Sequence, residues 1–216
     1  MSAPASAAPV PDRDCELCPR LVAYREDCRS AQPDWHNAPV PSFGGLDAPL
    51  LIVGLAPGLR GANRTGRPFT GDFAGDLLYA TLARFGFARG AYGARTDDGL
   101  ALHGCRITNA VRCVPPQNRP KGAEIAACRP FLAAEIAEMS RLRAILALGL
   151  VAHGAVLKAL GLRAGACRFA HGAVHRLDDG RRLFDSYHCS RLNTNTGRLT
   201  PAMFAEVFAA IRDVLE

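Results

Sequence analysis

The chain has 216 residues, of which 49% are hydrophobic, so it is long enough to bury one core and a single domain is expected. Its formal net charge of +6 suits a polyanionic partner but does not establish one. No apolar run is long enough to cross a bilayer, because the longest candidate, Ala144 to Leu162, is interrupted by His153 and Lys158. A membrane partner is therefore not expected.

The N-terminus is rich in Ala, Pro and Ser and has neither the basic residue nor the apolar core of a secretory signal. Residues 1–13 are predicted to be a disordered tail and residues 14–216 a single domain. Without export, the eight cysteines are expected in a reducing, cytoplasmic compartment. There, a patterned set of cysteines indicates metal binding or catalysis before disulfides.

The first half of the chain alternates strand and helix. Residues 50–55 form a continuous apolar run between prolines, which is typical of a strand buried on both faces of a parallel sheet. Apolar residues at helical spacing predict a helix that starts at Asp72 and is closed by Gly86. Residues 105–111 are predicted to form the second strand.

The second half repeats this alternation. It contains a predicted helix over 122–139, a strand over 143–148, a helix over 151–160 and a strand over 181–187. Thr200-Pro201 then opens a final helix, with an N-cap followed by proline at the first helical position. Strands that alternate with helices predict an α/β fold, with a mostly parallel sheet covered on both faces.

Polar or glycine-rich loops follow three of the predicted strands, after Leu55, Asn109 and Tyr187. Ligands of such sheets bind where loops leave the carboxyl ends of the strands. We therefore expect these loops to converge on one site. The first loop, Gly54 to Gly58, has neither the three glycines of a dinucleotide fingerprint nor the Lys-Ser/Thr of a P-loop.

Four of the cysteines have spacing that suits a metal or a cluster. Cys15 and Cys18 form a Cys-x-x-Cys pair in a charged stretch, and Cys113 and Cys128 lie far downstream. Four thiolates suit zinc or an iron–sulfur cluster about equally, and spacing alone does not choose between them. The other four cysteines lack partners at useful spacing and are interpreted as structural.

Four motifs together resemble the uracil-DNA glycosylase superfamily, specifically its family 5 (type B), over residues 15 to 212. The motifs are Gly54-Leu55-Ala56-Pro57-Gly58, Gly66-Arg67-Pro68-Phe69-Thr70-Gly71-Asp72, Ile107-Thr108-Asn109 and His188-Cys189-Ser190-Arg191-Leu192-Asn193. The resemblance implies a three-layer α/β/α sandwich around a four-stranded, mainly parallel sheet. It also implies that Cys15, Cys18, Cys113 and Cys128 hold a [4Fe–4S] cluster, with zinc as the alternative.

The resemblance further implies a DNA-repair enzyme that flips a damaged base into a pocket, because a stacked base is inaccessible. Phe69 would stack on that base, and the Gly54, Leu55, Ala56, Pro57 and Gly58 loop would line its edge. Uracil is the implied base, and xanthine, hypoxanthine and etheno adducts are further implied substrates. DNA is the expected partner, and a nucleoid-associated monomer is the default expectation.

Three polar residues are candidates for catalysis. Cleavage leaves negative charge on the departing base, so a donor aimed at its oxygen stabilises the transition state, and His188 is the candidate donor. Asp72 and Asn109 are candidates for positioning water or supporting the sugar cation, because Leu55 and Ala56 in the first loop cannot orient water. The lack of a polar side chain at Leu55 and Ala56, in contrast to related families, favours a dissociative mechanism.

The segment after His188 is predicted to enter the duplex, with Arg191 and Leu192 near the space that the base vacates. The predicted DNA-binding residues, which include phosphate contacts, are Arg64, Ser190, Arg191, Leu192, Asn193 and Thr194. No lysine lies in any motif, so Schiff-base chemistry is not expected and the enzyme is predicted to be monofunctional.

Other interpretations of these residues and of the chain remain open. Asp72 could cap the helix it precedes, Asn109 could hydrogen-bond the backbone groups at the end of a strand, and Phe69 could belong to the core. His153 and His175 are interpreted as structural. The chain could also be a non-catalytic damaged-DNA-binding protein with the same pocket, or a metal-dependent α/β hydrolase whose cysteines bind zinc.

Overall fold

Strands and helices alternate along residues 10–216, which are the residues that the computed structural model describes. The strands are β1 (Leu50–Gly54), β2 (Ala88–Arg89), β3 (Ala101–Leu102), β4 (Cys105–Asn109), β5 (Ala144–Leu148), β6 (Val174–Arg176) and β7 (Arg182–Ser186). The helices are α1 (Pro19–Ala31), α2 (Ala62–Thr65), α3 (Phe73–Arg84), α4 (Gly122–Glu138), α5 (Leu150–Ala159), α6 (Arg191–Asn195) and α7 (Pro201–Leu215), with a 3-10 turn over Pro116–Asn118.

The central sheet has the strand order β4–β1–β5–β7–β6. The first four strands are parallel, and they are the four that the sequence predicts. β6 pairs antiparallel with β7 at the edge, so the sheet has five strands rather than the predicted four. β6 was missed because it is three residues long and two of them are exposed, which leaves no apolar run to detect.

Successive residues of β1 face opposite layers of helices. Leu50 and Ile52 pack in the core that contains residues of α3 and α7. Leu51 and Val53 pack in the core that contains residues of α4 and α5. Because side chains alternate across a strand, β1 is buried on both faces, and the predicted three-layer α/β/α arrangement is confirmed.

The sequence did not predict α1, which begins with Pro19 at its first position directly after Cys18. Leu21 packs against Val111 and Cys128, and this contact fixes the N-terminal segment to the end of β4 and to α4. Residues 1–9 of the predicted tail lie outside the described residues.

A buried carboxylate ties α4 to β4. Glu135 accepts hydrogen bonds from Arg106, Arg112 and Thr108, at 2.6, 2.5 and 2.9 Å. Buried charges need such partners, because an unpaired charge in the interior is costly. The contacts hold the strand that ends in Asn109.

None of the helices in the described part of the chain combines the length and the apolar character needed to cross a bilayer. The longest of them, α4, has 17 residues and includes charged positions.

Candidate functional site

A cavity of about 290 Å³ opens at the carboxyl edge of the parallel sheet, where open α/β sheets bind their ligands. Four segments form its walls: the loop after β1, the residues around the start of α3, the end of β4 and the segment after β7. The lining residues are Leu55, Ala56, Pro57, Gly58, Ala62, Phe69, Asp72, Phe73, Ala74, Asn109, Asn118, His188, Ser190 and Arg191. The loops that were expected to converge therefore meet in one cleft.

Phe69 forms one wall of the cavity in a strained backbone conformation. Its φ is +53°, in the left-handed region that costs a non-glycine residue about 1–3 kcal/mol. The hydroxyl of Tyr79 donates to the carbonyl of Pro68 at 2.7 Å, and that of Tyr92 donates to the carbonyl of Phe69 at 3.1 Å. These bonds hold the ring beside His188, with ring centroids 5.9 Å apart and planes 28° apart.

A buried ion pair anchors the loop that carries Phe69. Arg67 donates to both carboxylate oxygens of Asp98, at 2.9 and 2.6 Å, and each side chain is only 5% exposed. Its guanidinium lies 5.2–5.9 Å from the ring centroids of Phe43, Tyr79 and Tyr92. The hydrogen bond from Arg67 lowers the pKa of Asp98. No local pattern marks this pair, because its members are 31 positions apart.

Asp72 both caps α3 and faces the cavity. Its Oδ1 accepts a hydrogen bond from the backbone N–H of Gly75 at 3.1 Å, which confirms the N-cap interpretation. Its Oδ2 lies so close to Gly61 that a Cβ there would be 2.5 Å away. Burial raises the pKa of Asp72 above its usual value, against the opposing effect of the backbone hydrogen bonds.

Asn109 and Phe69 both pack on Gly54. Gly54 is paired with Asn109 in the parallel register of β1 and β4. A Cβ at Gly54 would lie 2.4 Å from Oδ1 of Asn109 and 2.6 Å from Cζ of Phe69. Gly54 does not line the cavity itself, but it leaves the room that these two side chains occupy.

His188 follows β7 and is held as a neutral imidazole. Burial lowers its pKa to about 4, because a charged ring would lose its hydration. The Asn193 side chain donates to the backbone carbonyl of His188 at 2.8 Å and fixes the turn after the strand. A neutral imidazole carries one N–H and can donate one hydrogen bond into the cavity.

The predicted DNA-binding residues occupy different places. The segment after Ser190 is a short helix, α6, and not the expected loop; Ser190 caps it by accepting from the N–H of Asn193 at 3.4 Å. Arg191 lies over Phe73 at 5.3 Å, at the cavity wall, and Leu192 is 72% exposed. The Thr194 hydroxyl donates within the helix, to the carbonyls of Ser190 and Arg191.

Arg64 does not reach the cavity. It lines a separate groove together with Trp35 and His36. Conversely, Asn118 lines the cavity although the sequence did not single it out. It lies in a proline-containing loop between two of the motif cysteines, where no periodic pattern indicates which residues turn inward.

The four cysteines predicted to bind a metal group lie in one small cavity. Cys15, Cys18, Cys113 and Cys128 line it with the apolar side chains of Leu21 and Phe131 among others. Burial, and then the nearby thiol of Cys128, raise the pKa of Cys113 to about 12. The backbone N–H of Arg112 points at Sγ of Cys128, 3.4 Å away. Of the four cysteines, Cys128 is buried and the other three are half-buried, and their sulfur atoms with a backbone donor form a donor set that fits an iron–sulfur cluster.

His153 and His175 share one buried carboxylate, that of Asp185. Nδ1 of His153 lies 2.7 Å from Oδ1, and Nε2 of His175 lies 3.0 Å from Oδ2. Nε2 of His153 also lies 3.0 Å from the carbonyl of Cys167. These are hydrogen-bond distances, and they account for the two histidines as structural groups that join α5, β6 and β7.

The fold and the site define a class of α/β proteins whose ligand pocket lies at the carboxyl edge of the sheet and has an aromatic wall for a flat ring. The profile of the uracil DNA glycosylase superfamily matches residues 41–212 of the chain. The chain belongs to this superfamily.

Relatives over nearly the whole chain place it within the superfamily. A type-5 uracil-DNA glycosylase of Thermus thermophilus is 47% identical over 89% of this chain and 90% of its own length. The type-5 uracil-DNA glycosylase of Mycobacterium leprae is 47% identical over 90% of this chain and 88% of its own. A type-4 uracil-DNA glycosylase of Pyrobaculum aerophilum is 36% identical over 70% of this chain and 64% of its own. The family 5 resemblance is thereby confirmed.

Gly54→Ala is expected to destabilise the protein by about 1–3 kcal/mol, because the added methyl group must displace Asn109 or Phe69. The measurement is the free energy of unfolding in urea. Gly154→Ala is the matched control: nothing lies within 4 Å of its Cβ position in α5, so it is expected to be neutral or to stabilise by up to about 1 kcal/mol. A Gly54→Ala protein as stable as wild type would contradict the packing described.

His188 is expected to make stability depend on pH between about 4 and 6.5. Within this window the unfolded chain binds a proton at His188 and the folded chain does not, so stability falls as the pH is lowered. Above 6.5 both states are neutral and the contribution is complete. The measurement is urea unfolding at several pH values for wild type and His188→Gln. The variant is expected to have the shallower slope, and parallel curves would refute the assignment.

Proposed function

We propose that the protein is a monofunctional DNA glycosylase that hydrolyses the N-glycosidic bond of uracil in DNA. The observation that carries the proposal is the meeting of Phe69, Asp72, Asn109 and His188 in one cavity of about 290 Å³, in a member of this superfamily. The names of the type-5 relatives support uracil as the base and DNA as the substrate.

In this proposal a flipped base lies against Phe69, with its edge along the Leu55–Gly58 loop. The strain at Phe69 supports a functional role, because a left-handed φ persists only where the surroundings impose it. Asn109 lies deep beside the same ring and would hydrogen-bond the base edge with its amide. The pocket would thus select a base by shape and by hydrogen bonds.

The reaction breaks the bond between the sugar C1′ and the base nitrogen, whose electron pair leaves with the base. Neutral His188 would donate to the base oxygen on which negative charge develops. Water adds its oxygen to C1′ and loses a proton, and the departing base takes a proton in turn. The Asp72 carboxylate, in its ionised form, would stabilise the positive sugar and position the water.

The mechanism we propose is dissociative. Leu55 and Ala56, which line the cavity, have no side-chain group that can accept a proton from water. The contribution of the protein is then electrostatic stabilisation and positioning. The same apolar loop supports a relaxed choice of base, so we propose that xanthine, hypoxanthine and etheno adducts are also substrates. The chain's two lysines, Lys121 and Lys158, do not line the cavity, which supports a monofunctional enzyme.

DNA would approach over α6. Leu192 projects from it with 72% of its surface exposed and would enter the gap in the duplex. Arg191, beside the cavity, would meet the adjacent phosphates, and Ser190 would contact the sugar–phosphate chain. Arg64 would bind DNA farther from the flipped base, because it lies in another groove. Since chromosomal DNA is the substrate, we propose a nucleoid-associated, cytoplasmic monomer.

Cys15, Cys18, Cys113 and Cys128 would hold a [4Fe–4S] cluster. Among the described residues no three of these sulfur atoms lie within 4.8 Å of one another. A tetrahedral zinc ion with Zn–S bonds of about 2.3 Å would need them about 3.8 Å apart, so the spacing favours the larger group. When bound, such a cluster can exchange electrons and would pin α1 to β4 and α4.

The alternative function is a non-catalytic damaged-DNA-binding protein. The apolar side chains of Leu55 and Ala56 favour it, because they leave the first loop without a group for water. This alternative keeps the pocket and the DNA surface and differs only in turnover.

The test of function is incubation of uracil-containing duplex with the protein, followed by alkali, which cleaves DNA at abasic sites. Asp72→Ala and His188→Ala are each expected to lower kcat by about a hundredfold or more, as for lost transition-state stabilisation. The same assay of wild type and both variants, on duplexes that contain hypoxanthine, xanthine or ethenocytosine, tests the range of bases. Tight binding without cleavage by wild type would support the non-catalytic alternative, and near-normal turnover in both variants would refute the assigned roles.

The metal group is tested by the composition and the colour of the purified protein. A brown protein with equal amounts of iron and acid-labile sulfide is expected, and Cys113→Ala should lose both. Cys105→Ala is the matched control, because Cys105 is buried in the main core away from the other four thiols. A colourless protein that holds zinc on the same cysteines would overturn the cluster.

A further inference from the structure

One buried arginine in the described part of the chain lacks a carboxylate to hydrogen-bond. The arginines that are buried there are Arg25, Arg67 and Arg112. Arg67 is paired with Asp98 at 2.6 Å, and Arg112 is paired with Glu135 at 2.5 Å. Arg25 is the exception. A charge in the interior is costly without a partner of opposite sign, so this arginine needs an explanation.

The hydrogen bonds of Arg25 leave its charge unbalanced. Its Nη1 donates to the backbone carbonyl of Cys15 at 3.0 Å, which is a neutral acceptor. Its Nε is buried and has no hydrogen-bond partner among the residues that the structure describes. Oε1 of Glu26 lies 3.7 Å from that nitrogen, which is too far for a hydrogen bond. A guanidinium held in this way is suited to a further anionic partner.

Two acidic side chains near Arg25 are bound by another arginine. Arg29, one turn later in α1, lies 2.7 Å from a carboxylate oxygen of Asp14 and 3.0 Å from one of Glu26. Both acidic side chains are exposed, and water screens exposed charges. The charge that balances Arg25 is therefore expected on the buried side of α1.

The face of α1 that carries Arg25 packs on the cavity of the four cysteines. Leu21 and Arg25 are four residues apart and both buried, so they lie on the same face of the helix. Leu21 lines that cavity and packs against Val111 and Cys128. Burial, and then the Cys128 thiol, raise the pKa of Cys113, and the positive charge of Arg25 opposes this rise. Arg25 thus lies beside the thiols without lining the cavity itself.

We propose that Arg25 is the charge-compensating residue of the metal group that Cys15, Cys18, Cys113 and Cys128 would hold. An iron–sulfur cluster or a zinc ion bound by four thiolates carries a net negative charge. The buried guanidinium balances that charge through the protein interior, where charges interact more strongly than they do in water. The inference rests on the proposed cluster and makes Arg25 a positioning residue, which supports the ligands without being one of them.

The charge of Arg25 would have two measurable consequences. It stabilises deprotonated thiols, so its removal weakens their hold on the metal group. It also stabilises the form of the cluster that carries one more electron, so its removal lowers the reduction potential, which depends on the charge around the cluster. A contact that served only to hold the Cys15 backbone would not follow the charge of the side chain at this position.

The test compares Arg25→Gln, Arg25→Lys and Arg29→Gln in the purified full-length protein. Glutamine removes the charge and keeps an amide that can donate to the Cys15 carbonyl, whereas lysine keeps the charge and loses the planar fork. Arg29→Gln is the matched control, because it removes an equal charge from the same helix where exposed carboxylates bind it. The measurements are the rate of iron loss to a chelator and the reduction potential of the cluster at an electrode.

Arg25→Gln is expected to lose iron about tenfold faster than wild type, as for removal of a residue that supports metal ligands. At a fixed potential its ratio of reduced to oxidised cluster is expected to fall about tenfold, a shift of about 59 mV to lower potential for one electron. Arg25→Lys and Arg29→Gln are expected within about twofold of wild type, because one keeps the charge and the other removes a screened one. Equal potentials in wild type and Arg25→Gln, or an equal shift in Arg25→Lys, would overturn the inference.

The lysine variant also decides the case in which Arg25→Gln retains no cluster. If Arg25→Lys then retains the cluster, a charge at this position is required, as proposed. If Arg25→Lys loses it as well, the charge is not what the site needs, and the inference fails.

These outcomes are separate from the fate of the proposed cluster. A wild-type protein that holds zinc in place of iron refutes the cluster, and the role of Arg25 is then decided by the rate of zinc loss to a chelator. That rate is expected to rise about tenfold in Arg25→Gln and not in Arg25→Lys. Equal rates in all variants would overturn the role of Arg25 as well, and a wild type that binds neither metal would overturn both proposals.

Discussion

The candidate site depends on one buried ion pair, Arg67–Asp98, which fixes the loop between α2 and α3. Each partner is 5% exposed, so neither charge is stabilised by water, and each needs the other. Removal of one partner from such a pair typically costs about 3–5 kcal/mol, because it leaves the other charge buried and unpaired. The stacked rings of Tyr79 and Tyr92, with centroids 4.6 Å apart, lie beside the guanidinium and hydrogen-bond the strained loop through their hydroxyls. One electrostatic contact therefore supports both the aromatic wall at Phe69 and the carboxylate at Asp72.

The parallel sheet supplies the second constraint. Because β1, β4 and β7 run in the same direction, residues that follow them in the sequence arrive at the same edge. The register places Gly54 opposite Asn109, and the missing Cβ lets the amide and the Phe69 ring share that space. Positions far apart in the sequence thus depend on a single glycine for their packing, and the geometry of the pocket follows from backbone pairing as much as from the side chains themselves.

How far the sequence predicts the structure depends on the range of the interaction. Long apolar runs such as residues 50–55, and the cap at Asp72, carry local signals and were predicted correctly. β6 and α1 were missed, because a three-residue edge strand and a helix with few buried positions have weak periodicity. The partnership of Arg67 with Asp98 and the inward position of Asn118 arise from contacts between distant segments, and no local pattern encodes them. The helix α6 was predicted as a loop, since five residues are too few for a helical pattern.

The electrostatics of the pocket are consistent with a dissociative reaction. Burial lowers the pKa of His188 to about 4 and raises that of Asp72, so both groups are shifted towards their neutral forms. A general acid and a general base would need shifts that suit proton transfer near neutral pH, and a histidine that protonates only near pH 4 cannot serve as a strong acid there. It can still donate a hydrogen bond, and the low polarity that keeps it neutral strengthens that bond to a developing anion. In the proposed mechanism, therefore, the desolvation that makes His188 a poor proton donor is also what makes its hydrogen bond effective in stabilising the charge on the departing base.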